Sequence, residues 1–292
     1  MGLRTKFNLV MLLVFALGMG GIGLIADEVL QRNAREEILH TAGIMMESAM
    51  AVRGYTISEI RPLLEVQMTR DFLPQTVPAY AAMRNVHGLR ERYPEYTYKE
   101  ATLNPTNPAS RATEWEAGVV EHFRNNGDSK ELIGERMTPT GPSLYMARPI
   151  RIENESCLVC HGQISDAPPT MLARYGEANG FGWKMQEVVG SQIVSVPMSV
   201  PLQRARSALT TFMISLGAVF AAVMIILNVL LHSIVIRPVK RMAGIAHEVS
   251  MGKLDAAECQ PHGKDEIAVL AESFNRMRRS LVNAMQMLNE TP

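Results

Sequence analysis

The chain has 292 residues, with 29 basic and 29 acidic side chains and a formal net charge of zero. That balance supplies no bulk attraction for nucleic acid or for an acidic partner. With 47% apolar and 20% charged residues, the mixture suits a soluble domain joined to a few membrane spans rather than a polytopic protein.

Arg4 and Lys6 precede a run of twenty uncharged residues, Phe7 to Ala26, long enough to cross the hydrocarbon of a bilayer. A cleaved signal peptide is the rival reading. Its apolar region is usually about 7–15 residues, and no A-x-A-like site follows Gly23. Residues 1–26 therefore read as an uncleaved anchor, with the flanking cations on the cytoplasmic side. Beyond it, Val29, Ala34, Ile38, Ala42, Met45, Ala49 and Val52 recur at helical steps, with no Pro or clustered Gly to interrupt them. The first span should continue as a stalk that packs on a soluble core, with Pro62 marking a kink or boundary.

Residues 54–126 are broken by Pro74, Pro78, Pro94, Pro105 and Pro108. Short helices fit 76–91 and 111–125, and a strand fits 95–101. Strands are expected at Leu132-Ile133 and from Leu144 to Ile150, around a turn at 139–143, and a last one from Val188 to Pro197. Three or four antiparallel strands with helices around them make 27–207 an α+β, sensor-like domain.

Inside that domain lies Cys157-Leu158-Val159-Cys160-His161, which reads C-x-x-C-H, the attachment signature of a c-type haem. Two thiols three positions apart can each add to one vinyl group of the same porphyrin, and the adjoining imidazole can ligate the iron. Cys157 and Cys160 are assigned to the covalent links and His161 to an axial position. One haem is expected, because only Cys259 remains. A disulfide, a redox dithiol and half of a zinc site use the same pair. Zinc needs further soft ligands and no second Cys pair exists; a redox dithiol wants a thioredoxin-like βαβ context, which is missing. Covalent haem attachment belongs outside the bacterial cytoplasm.

From Ser207 to Ile236 charge is again absent, which places a second span at 208–236, followed at once by Arg237, Lys240 and Arg241. Both cation clusters then lie in the cytoplasm of a two-pass inner-membrane protein, and 27–207 lies in the periplasm. Residues 237–289 read as two amphipathic helices. Val239, Met242, Ala246 and Val249 mark the first; Ile267, Leu270, Phe274, Met277, Leu281, Ala284 and Leu288 mark the second in heptad steps. Gly252, Leu254, Pro261 and Gly263 lie in the link. One such pair cannot bury these seams, and a parallel homodimer forming a four-helix coiled-coil bundle can.

Two families are resembled. Pro238, Glu248, Asp265-Glu266-Ile267 and Phe274-Asn275-Arg276-Met277 resemble a HAMP linker, which implies relay from a periplasmic domain to a kinase, cyclase or chemotaxis-type output. Asn104-Pro105-Thr106-Asn107-Pro108, Trp115-Glu116, Ala147-Arg148-Pro149-Ile150, the haem motif, Gly180-Phe181-Gly182 and Val194-Ser195-Val196-Pro197 resemble, in that order, a family of periplasmic single-haem c-type sensor domains with a PAS-like core. That resemblance covers most of 30–201. It implies a sixth iron ligand from the N-terminal helical region, where some members use Cys; this chain has no Cys before Cys157.

For that position Met46, Met50, Tyr55, His40, His87 and His122 are candidates, beside water or a vacant site that would bind gas. With twenty methionines in the chain, a Met on a helical face is more often core filling. Arg53, Arg61 and Arg148 suit haem propionates, although solvated charge is the commoner case. Cys259 and His262 form a C-x-x-H with too few ligands for a metal. No catalytic triad, phosphate loop or paired-carboxylate site stands out, so no enzyme is expected. The reading is a membrane-bound haem sensor of redox state or of a small ligand such as nitric oxide. It signals through HAMP to a separate partner, as no kinase or cyclase domain fits after the heptads. A membrane-anchored electron-transfer cytochrome is the alternative, and a HAMP-dimerised scaffold a third class. Electron transfer gives no reason for heptads coupled directly to a span.

Overall fold

The computed structural model describes residues 2–253, 257–260 and 263–290, the side chains of 286 and 288–290 apart. It divides into two units, Ala26–Leu209 and Met1–Ile25 with Thr210–Pro292.

The first unit is a mixed helix and sheet domain. Its sheet has four antiparallel strands, β1 (Thr97–Thr102), β2 (Leu132–Thr138), β3 (Gly141–Arg151) and β4 (Val188–Pro197), in the order β1-β4-β3-β2. All ten residues of β4 are buried, because helices cover both faces at the centre of the sheet. The even-numbered Val194 and Val196, with Leu144, Met146 and Tyr98, meet Ile38, Ala42, Met45, Met46 and Ala49 of α1 (Leu3–Tyr55) and Ala82 and Val86 of α3 (Pro78–Leu89). The odd-numbered Ile193, with Ala101 and Ala147, meets Val119, Val120 and Phe123 of α4 (Glu114–Asn125). Period-two alternation thus sorts one strand's residues into two cores.

The expected stalk is present: one helix runs unbroken from Leu3 to Tyr55. A π-helical stretch, Thr56–Ile60, then leads into α2 (Arg61–Met68), with Pro62 in its first turn. Proline lacks an N–H and crowds the preceding turn, which widens there. The 139–143 turn is tighter than expected: β2 and β3 pair from Thr138↔Gly141 onward, and Gly141 has φ +115°. Two short helices, α5 (Leu158–His161) and α6 (Pro169–Tyr175), interrupt the segment between β3 and β4, where the sequence suggests only a Pro- and Gly-rich loop after the motif.

In the second unit the starts and ends of the two apolar helices pair antiparallel. Phe15 stacks on Phe220 at 4.7 Å, and Arg4 Nε donates to Asn228 Oδ1 at 3.3 Å. Both helices are long and apolar enough to cross a membrane. Helix α7 (Ser199–Leu230) passes through a π-helical stretch, Leu231–Ile236, into α8 (Arg237–Ser250), so the second apolar helix continues without a break into α8. Met242, Ile245 and Val249 of α8 pack with Ala271, Ile267 and Phe274 of α9 (Glu266–Glu290). Ile245 takes the buried position expected of Ala246, which is half-buried. Asn275 ties the link to α9: its Nδ2 donates to the Cys259 carbonyl at 2.6 Å and its Oδ1 accepts from Cys259 N–H at 3.0 Å. Leu254, Pro261 and His262, and with them the C-x-x-H pattern, lie outside the described residues.

Candidate functional site

The C-x-x-C-H stretch folds as a single turn. Asn154 Oδ1 accepts from Ser156 N–H at 2.8 Å and starts it; Gly162 N–H donating to Leu158 O at 2.8 Å ends it. A turn of helix brings positions i and i+3 to one side, so Cys157 and Cys160 lie together, both half-buried and both free thiols. Burial pushes the Cys160 thiol pKa up, the Arg61 charge acts against it, and Cys157 adds to the rise.

His161 is held from three directions. Its Nδ1 lies 2.8 Å from the Gly180 carbonyl and 3.3 Å from Thr106 Oγ1, and its ring stacks on Trp183 with centroids 4.0 Å apart and planes at 17°. A carbonyl only accepts, so Nδ1 carries the proton and Nε2 keeps a free lone pair. Burial lowers the His161 pKa, with the Gly180 carbonyl opposing, which favours the neutral imidazole that ligates metals.

The acceptor exists because position 180 is glycine. Gly180 has φ +90°, and a Cβ there would lie 1.9 Å from Thr106 Oγ1 and 2.7 Å from Thr106 N. Asn104 Oδ1 accepts from Gly180 N–H at 3.1 Å, and backbone bonds from Gly182 N–H to Gly162 O and from Trp183 N–H to His161 O close the 180–183 strip against the motif. The Asn104–Pro108 turn and the Gly180–Gly182 segment are thereby brought to the same histidine. Trp183 is the residue that sequence reasoning missed; a lone Trp in a polar loop carries no period to mark it.

The other candidates are dispersed. Met46 is fully buried in the core between α1 and the sheet, and Met50 accepts a bond from Gln192 Nε2 at 3.2 Å. Tyr55, His40 and His87 are exposed, and His122 packs edge-on against Phe123 beside α4's end. Of the three arginines, Arg53 pairs with Glu100 and Arg148 with Glu47 and Glu131, at 2.7 and 3.0 Å. Arg61 has no carboxylate partner among the described residues. Nor do three or more His, Cys, Asp or Glu side chains converge among them. The donor set fits a haem held by two thiols and one tautomer-fixed imidazole.

A family described as Tll0287-like (Tll0287) matches residues 31–197, and the HAMP domain family matches residues 230–283. No curated protein matches the chain. Among solved structures, the crystal structure of the cyanobacterial heme-protein Tll0287 is similar at 17% identity and a TM-score of 0.43, over 55% of this chain and 95% of that one.

Proposed function

The chain belongs to the Tll0287-like family and carries a HAMP domain after that region, and from this premise we propose that it is a membrane-bound c-type haem sensor that signals through HAMP to a separate output protein. The observation that carries the reading is His161, set in a C-x-x-C-H turn with Nδ1 turned to the Gly180 carbonyl and Nε2 left as a ligand. Cys157 and Cys160 would form the two thioether links. A bound haem would supply one-electron redox chemistry and an iron whose sixth position responds to redox state or to a small ligand such as nitric oxide. Thr106 and Trp183 fix the imidazole plane, so a change in what His161 holds would be felt through Thr106 at the exit of β1 and through the 180–183 strip that leads to β4.

The domain boundaries are those of the sequence: an anchor at 1–26, a PAS-like periplasmic domain at 27–207, a span at 208–236 and cytoplasmic HAMP at 237–289. The Arg4–Asn228 bond supports a hairpin of spans whose cation-bearing ends share the cytoplasmic side of the inner membrane. HAMP implies membrane association and a downstream output, here a kinase, cyclase or chemotaxis-type protein. The protein is a sensor and not an enzyme, and its working unit is a homodimer.

The test is made on the full chain produced with a haem-attachment system. Haem should resist extraction by acid-acetone and stain on a denaturing gel, and the double variant Cys157→Ala, Cys160→Ala should lose both properties. Covalent haem that survives in the double variant would refute the assignment.

A further inference from the structure

Helix α4 covers only part of its face of the sheet. It packs on Ala101, Ala147 and Ile193, towards the end of the strands that leads to the haem loop. At the opposite end, where β1 begins and β4 finishes, a cleft of about 590 Å³ opens on this face and runs round the β1 edge to Met83, His87 and Arg90. That volume lies within the range of small-molecule sites.

Three observations give the cleft a chemical character. Arg136 of β2 lies flat over the Trp115 ring at 4.0 Å and has no carboxylate partner among the described residues, so its N–H groups are fixed in direction yet unspent. Ser195 of β4 is only 8% exposed, lines the cleft, and its hydroxyl has no hydrogen-bond partner among the described residues. Its oxygen reaches the open space of the cleft, and a hydroxyl there can donate to an occupant. Lys99, by contrast, is already held by Glu116 at 2.7 Å and by the Arg111 carbonyl at 2.8 Å, and contributes only its field.

We propose that this open half-face is a second ligand site, for a small monocarboxylate with an apolar body, distinct from the C-x-x-C-H loop. A planar carboxylate matches the guanidinium fork, and Ser195 donates to it as well. Met83, Pro142 and Pro197 line the cleft and suit an apolar body. Glu95 and Glu116 share its wall with Arg90 and Lys99, so the charges beyond Arg136 balance and a single negative charge is the better match. The site would give the domain an input that does not involve iron. It goes beyond the haem reading and does not depend on it.

The experiment is calorimetric titration of the haem-loaded full chain in nanodiscs with acetate, butyrate, benzoate and phosphate. Wild type, Arg136→Gln, Arg136→Lys and Ser195→Ala are compared, so that partition into lipid is common to all. Saturable binding is expected for butyrate or benzoate, more tightly than for acetate or phosphate. Both Arg136 variants should weaken it about tenfold or more, and Ser195→Ala about threefold, at unchanged haem absorption. Arg136→Lys keeps the charge on the edge strand, so a loss there reports the fork and not the fold. No saturable binding of any monocarboxylate, or equal affinity in wild type and both Arg136 variants, would overturn the proposal.

Discussion

At the scale of single residues, Gly180 is the position with least freedom. Its positive φ and its contact with Thr106 leave no room for a side chain, and its carbonyl sets the His161 tautomer. Gly180→Ala should therefore cost about 1–3 kcal/mol of stability for the strained backbone. It should also release His161 from its acceptor, and that second effect separates it from ordinary destabilisation. The full chain would show a lower unfolding temperature and an altered haem absorption spectrum. An unchanged spectrum with a lowered unfolding temperature would mean that the carbonyl does not set the imidazole. The glycine was legible in the sequence only as part of a segment resembling a family. What it touches was not, because Thr106 and His161 come together by tertiary folding across 55 residues.

At the scale of elements, the docking of α1 on the sheet has a polar pattern that no local periodicity reveals. Glu100, Gln192 and Arg148 are direct cross-strand partners on β1, β4 and β3. Facing them, α1 presents Arg53, Met50 and Glu47, three residues apart, and bonds each in turn. The charges along the helix run opposite to those along the row, so a slip of one turn sets Met50 against an ion and leaves a charge facing Gln192. The Arg53–Glu100 pair is the costly member, since the Glu100 side chain is 4% exposed and also accepts from Tyr98 O–H at 2.8 Å. That carboxylate and the burial of Tyr98 hold the phenol far above its usual pKa, with burial the larger cause. Arg53→Ala should destabilise the domain by about 3–5 kcal/mol by leaving a buried charge unpaired, and Arg53→Met with Glu100→Gln should recover most of the loss. A double-mutant cycle by denaturant unfolding reads the coupling; additive losses would show the pair to be independent. The apolar face of this helix and all four strands are legible in the sequence, because period 3.6 and period 2 are local. Arg53 and Arg148 read there as haem-facing or solvated, since an ion pair between distant segments leaves no trace in either.

For the whole molecule, α8 and α9 of the HAMP region leave apolar side chains over. In a single chain Ile267 and Phe274 pack inward, while Leu270, Met277 and Leu281 are 51%, 63% and 45% exposed. The heptad series therefore splits: part serves the helix pair, and the remainder is free for the second copy that a coiled-coil bundle needs. Leu270→Asp should weaken self-association of the full chain, measured by sedimentation, without altering the haem spectrum. Equal sedimentation of variant and wild type would remove the case for a dimer along this seam. The topology has its own test. A phosphatase fused after Gly127 should be active and one fused after Asp265 inactive, and the reverse pattern would invert the two sides of the membrane.

Under the proposed function, the state of the haem domain is passed along continuous helices to HAMP. The helical path from Ser199 through Ser250 makes that physically direct, and two alternative packings of a HAMP bundle would amplify a small shift. Spin labels placed at position 270 of both subunits, in a background lacking Cys259, report the inter-subunit distance by pulsed electron paramagnetic resonance. The distance distribution should change between oxidised protein, reduced protein and reduced protein exposed to nitric oxide, and the change should vanish in His161→Ala. One identical distribution in all three haem states would contradict the relay and leave a membrane-anchored electron carrier as the better account.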